Sequence, residues 1–145
     1  MAGALAWGAA ISASVCLVLV WRGWHWPSSI LAVAGLFGGG ATLAFLFVQL
    51  IWRHLAPPRL EAAMALAAIL HAGTAIAVIA ALYGLQYRAY YAQWHEPGFS
   101  LVWFIQFAVT MAGAFYQFAV IGLGLLLPLG LPLLAVLAIW QASMR

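Results

Sequence analysis

The chain has 145 residues, 68% of them apolar and 5% charged, with a mean hydropathy of +1.11 and a formal net charge of +3. Soluble domains are about 45–50% apolar and about 25% charged, so two acids (Glu61 and Glu96) and five arginines are too few to clothe a water-soluble surface, and the remainder must face a lipid bilayer. The absence of lysine excludes a retinal Schiff base, the lone Cys16 excludes an internal disulfide or CxxC redox pair, and singly scattered arginines do not form a nucleic-acid-binding face.

A membrane span needs about 20 apolar residues, and polar punctuation divides the chain on that scale. The first span is predicted over about 2–21. It lacks a basic leading segment and is long enough to cross, so it reads as a retained helix rather than a cleaved signal peptide. Arg22–Ser29 makes a short turn in which Pro27 and the serines suit the start of a helix, and a second span follows over about 30–52. The Pro57–Pro58 pair punctuates a tight connection to a third span over about 62–85. The longest loop, Gln86–Gly98, is rich in Tyr and Trp and closes on Glu96-Pro97-Gly98.

From Pro97 to Met144 there are 48 residues without a charge. As one straight helix they would extend about 70 Å, against a hydrocarbon core of about 30 Å. Gly122, Gly124, Pro128, Gly130 and Pro132 mark a place to turn, so two spans are expected, about 99–121 and 127–142. The expected fold is therefore an all-α bundle of five transmembrane helices in a single domain. The alternative is four, with the last continued as a kinked or interfacial segment. Trp21, Trp24, Trp26, Trp52, Trp94, Trp103 and Trp140 fall near span ends, the depth that indole rings prefer. Arg22, Arg53, Arg59, Arg88 and Arg145 act there as headgroup anchors. With five spans they divide three to two in either orientation, so the positive-inside rule does not orient the chain.

Small residues recur at helical spacing: Gly8, Ser12 and Cys16 in the first span; Gly35, Gly39 and Gly40 in the second; Ala63, Ala67 and Ala75 in the third. Such stripes let backbones approach closely, the main route to helix association in lipid. They exceed what five short helices need among themselves, so a homo-oligomer or other membrane subunits are expected as partners.

His71 lies some ten residues, or about 15 Å, into the third span. An ionisable group at that depth faces the bundle interior and marks a functional hypothesis. Structural hydrogen bonding, a quinone or proton-path contact, and a haem ligand all fit an imidazole there. A two-histidine haem within one chain does not, because His54 sits at a span end. The fourth span carries Gln106, Thr110, Gly113 and Gln117 on one face, a polar stripe that must point inward or toward a partner. Measured from the start of a separate fourth span, Thr110 reaches the depth of His71, so His71 is expected to meet Thr110 with Gln106 and Gln117 flanking. These four residues are the candidate cofactor-binding set. His25, His95 and Glu96 lie in the first and third loops, on the same side of the bilayer, and form a candidate metal set of two imidazoles and a carboxylate.

No HExxH, Ser–His–Asp set, phosphate loop or acidic pair within a span is present, so no catalytic activity of the chain's own is expected. The expected role is that of a multi-pass accessory subunit of a larger membrane complex, respiratory or photosynthetic, in a bacterial inner membrane. A haem- or quinone-binding redox protein and an oligomeric pore or carrier are the alternatives.

Overall fold

The computed structural model describes residues 1–144; Arg145, named above as an anchor, lies outside the described residues. Five α-helices form: α1 (Ala2–Trp21), α2 (Pro27–Leu55), α3 (Leu60–Tyr91), α4 (Leu101–Gln117) and α5 (Leu123–Ser143). A 3₁₀ turn, Ala92–Trp94, ends α3, and a π-helical segment, Phe118–Gly122, joins α4 to α5. No strand occurs among the described residues.

Local chemistry explains the boundaries. Pro27 opens α2 at its first turn, where its missing N–H leaves nothing unpaired. Helix α2 therefore starts three residues before the apolar run, and Arg53 and His54 close it against the negative end of its dipole. Helix α3 continues beyond the apolar part at 62–85 because Gln86 to Tyr91 contain no breaker. The side-chain oxygen of Ser100 accepts from the Trp103 N–H at 3.1 Å and caps α4.

The expected turn between 121 and 127 is absent. The backbone stays helical from Leu101 to Ser143, 43 residues, so the structure has four helices long and apolar enough to cross a membrane, and a count of five is not confirmed. Within the Gly/Pro cluster, Pro128 and Pro132 each withdraw an N–H from the helix, and for Pro128 the lost hydrogen bond is replaced. Pro128 has no N–H for the carbonyl four residues before it, that of Gly124. The Arg22 guanidinium, from the end of α1, donates Nη2–H to that carbonyl at 2.8 Å. The approach needs glycine: a Cβ on Gly124 would lie 3.1 Å from Arg22 Nη2. In lipid no water relieves an orphaned carbonyl, so a proline is tolerated inside a span where the protein supplies such a donor.

Helices α1 and α2 form an antiparallel hairpin, α3 packs on α2, and α5 returns against α1 and α3. The α1–α2 seam is set by two glycines that face each other. A Cβ on Gly8 would overlap Thr42 Oγ1 and lie 2.7 Å from the Gly38 carbonyl oxygen; a Cβ on Gly38 would overlap Ser12 Oγ and lie 2.7 Å from the Gly8 carbonyl oxygen. Ser12 Oγ bridges the seam by donating to the Ala34 carbonyl at 2.9 Å. The predicted stripe on α1 thus meets α2, but at Gly38. Gly35 and Gly39 face open space, while Gly40 receives Ile79 of α3. Ala63, Ala67, His71, Ala75 and Ile79 make one buried row at intervals of four on α3.

Two outcomes follow. On a Cys16→Ser background, single cysteines replacing Glu96 and Ser143 should label from opposite sides of the membrane, since one helix separates them; labelling from the same side would show a second crossing. Gly8→Ala should lower stability in mild detergent by about 1–3 kcal/mol through overpacking. Gly39→Ala, with room for its methyl, should leave stability unchanged or slightly raised. Equal effects of the two substitutions would discount the seam.

Candidate functional site

A cavity of about 480 Å³ lies between the first turns of α2, the last turns of α3 and the π segment. Trp24, from the α1–α2 loop, lines one side. Its construction begins with tyrosines at 83, 87 and 91, four residues apart and so on one face of α3. The rings of Tyr87 and Tyr91 are 4.7 Å apart, and the Tyr83 ring lies 6.4 Å from Phe118. Phe118, the first residue of the π segment, also meets Phe37 of α2 at 6.1 Å and folds over Gly122, where a Cβ would come within 2.5 Å of its ring.

One polar group enters this aromatic wall. Tyr83 O–H donates to Gln117 Oε1 at 2.9 Å, and Gln117 Nε2 donates toward the Tyr87 hydroxyl at 3.4 Å. An amide nitrogen carries two hydrogens, so Gln117 retains a donor beyond the one directed at Tyr87. Gln86 is the other amide on the lining, and among the described residues no Asp, Glu, Lys or Arg lines the cleft. The site is shaped for a neutral, flat or chain-like molecule with a hydrogen-bonding carbonyl or hydroxyl head.

Of the α4 stripe, Gln117 meets the tyrosines of α3, and none of the four residues reaches His71. Gln106 Oε1 accepts from the Glu96 backbone N–H at 3.0 Å, and Thr110 Oγ1 donates to the Gln106 carbonyl at 2.6 Å. Gly113 faces open space. Arg88 of α3 lies over Trp103 and Phe107, 5.6 and 5.8 Å from their ring centres, a cation–π clamp that ties α4 to α3. The expected His71–Thr110 pairing fails for one reason. It counted depth from a span starting at 99, whereas the uninterrupted helix brings Leu126, Gly130 and Leu134 of α5 to His71. Gly130 is 20 residues past Thr110, or about 30 Å along the axis.

His71 is 2% exposed and packs among α1, α2 and α5. Its ring lies 5.3 Å from that of Phe45 and 6.4 Å from that of Trp7. Neither ring nitrogen has a hydrogen-bond partner among the described residues. The Gln141 amide is close enough to interact with the imidazole without a hydrogen bond of ordinary geometry, and it is engaged with Gln49, at 2.7 and 3.3 Å in the two directions. The adjoining cavity is about 50 Å³. An apolar cavity that holds benzene measures about 150 Å³, so neither a haem nor a quinone ring enters beside His71 without moving α5.

Among the described residues no three His, Cys, Asp or Glu side chains come together, so His25, His95 and Glu96 do not assemble into a metal set. His25 is exposed, while His95 Nδ1 is buried without a hydrogen-bond partner. Sequence reasoning passed over the tyrosine row, Trp24, and the Gln49–Gln141 pair. The four-residue tyrosine spacing was visible, but it ran from the third span at Tyr83 into a segment read as loop at Tyr87 and Tyr91. The glutamines carried the same signal as Gln106, an amide within an apolar run. Comparison of the chain with family models, curated proteins and solved structures finds no match.

Because His71 makes no hydrogen bond of ordinary geometry among the described residues, His71→Leu should leave stability within about 1 kcal/mol or raise it. His71→Ala should cost about 2–5 kcal/mol by opening a cavity in the same packing. Unfolding in detergent measures both. A loss for Leu as large as that for Ala would mean that the imidazole nitrogens are bonded after all.

Proposed function

We propose that the chain is a non-catalytic subunit of a larger membrane assembly, in a bacterial inner membrane, that holds a quinone-type ring compound in the cleft around Gln117. The carrying observation is a wholly uncharged aromatic cleft of about 480 Å³ with Gln117, Tyr83 and Tyr87 hydrogen-bonded on one wall. A ring carbonyl accepts from the spare amide hydrogen of Gln117, and Trp24, Tyr91, Phe37 and Phe118 offer faces and edges for the ring. A phosphate headgroup finds no cation there. The 480 Å³ volume lies within the range of about 300–1,000 Å³ typical of small-molecule sites.

Membership of an assembly is supported by α4. It is mostly apolar, yet Ala114 is its only buried residue, and Phe104, Ile105, Val109 and Tyr116 are all more than half exposed. The two acids lie in the first turn of α3 (Glu61) and in the loop before α4 (Glu96), away from the cleft lining, which favours binding over turnover.

Quinone added to the protein in nanodiscs should quench Trp24 fluorescence saturably, read against a Trp24→Phe control. Gln117→Leu should weaken binding about tenfold, the worth of one lost hydrogen bond of ~1.4 kcal/mol. His71→Leu should leave affinity unchanged. Quenching that is linear in quinone, as for simple partitioning into lipid, would overturn the reading.

A further inference from the structure

The helix from Leu101 to Ser143 has two unlike halves joined through an irregular centre. Helix α5 buries Leu125, Leu126, Leu137, Ala138, Gln141 and Ala142 in the bundle. Helix α4 buries only Ala114 and is held to α3 by the Arg88 clamp, the Gln117–tyrosine bonds and the fit of Met111 and Phe115 against Gly84. Between them the helical hydrogen-bond ladder is altered twice within a few residues. The π segment over Phe118–Gly122 replaces i→i+4 bonds with i→i+5 bonds, and Pro128 withdraws the N–H that would bind the Gly124 carbonyl. Bends in helices arise at such places.

The same residues form one wall of the cleft. Gln117, Phe118, Ile121, Gly122 and Leu125 all line it. Just beyond the π segment, Arg22 holds the Gly124 carbonyl at 2.8 Å, and two residues after Arg22 comes Trp24, which lines the opposite side. The geometry points to α4 as a lever that turns on the segment 118–124 and so opens or closes the cleft, with Arg22 as its latch. Arg22 is a positioning residue: it fixes the wall and touches no ligand. Release of the bond frees a carbonyl that has no substitute donor in its own helix, so the held state is favoured in lipid and the released state needs the carbonyl to reach water or headgroups. The inference gives the cleft proposed above a means of admission, and its test uses no ligand, so the two readings stand or fall separately.

Spin labels replacing the exposed Leu31 of α2 and Phe104 of α4, on a Cys16→Ser background in nanodiscs, report the lever angle as a distance distribution. The intact latch should give one narrow distance. Arg22→Met should broaden and shift it by several ångström. Pro128→Ala restores an N–H to Gly124, so the double variant Arg22→Met/Pro128→Ala should return to the narrow distribution. Pro128→Ala alone, which keeps the arginine, serves as the folded control and should match the parent. An unchanged distribution in Arg22→Met overturns the latch. So does a shift that Pro128→Ala does not reverse, because Arg22 would then act other than through the Gly124 carbonyl.

Discussion

Inside a bilayer each backbone N–H and C=O must find a partner within the protein, and this constraint organises the fourth apolar stretch of the chain. A proline would ordinarily end or sharply kink a helix. Here the carbonyl that Pro128 orphans belongs to a glycine, and an arginine from the far end of α1 reaches it. A contact between residues 102 positions apart therefore supports the helix where local sequence would break it. The depth at which α5 meets His71, the placing of Gln117 beside the tyrosines and the formation of the cleft all depend on that continuity.

The second organising element is close backbone approach. Gly8 and Gly38 are reciprocal, each occupying the space that a methyl on the other would need, and Ser12 bridges the seam. Lipid tails are as apolar as leucine, so there is no hydrophobic gain in joining α1 to α2; the gain is in dispersion and short polar contacts made possible by missing side chains. The row from Ala63 to Ile79 applies the same device to α3, with His71 as its one polar member. An imidazole set against Phe45 and Trp7 is accommodated as an aromatic ring rather than as a hydrogen-bonding group.

Properties that are sums over many residues could be read from the chain. The first three helices and the apolar class follow from composition and spacing. What could not be read depended on single tertiary contacts. Gly122, Gly124, Pro128, Gly130 and Pro132 look like a turn to any local rule, because no local rule contains Arg22. The error in depth at Thr110 follows from the missing turn. The second-span stripe was read at Gly35, Gly39 and Gly40, whereas Gly38 makes the seam, because spacing alone cannot fix which side of a helix meets a neighbour. The tyrosine row was hidden for a different reason: apolar content locates the membrane-crossing part of α3 but says little about where the helix stops.

A helix of 43 uncharged residues is about 65 Å long, twice the hydrocarbon thickness of an ordinary bilayer. Hydrophobic mismatch on that scale is relieved by tilting or bending, and the soft point is already placed at residues 118–124. A thicker, more ordered bilayer shelters more of α4 in line with α5, while a thinner one drives it over toward the plane of the headgroups. If α4 turns there as proposed, its angle, and with it the width of the cleft, follows the thickness of the surrounding membrane, and the lipid environment becomes a mechanical input to the site.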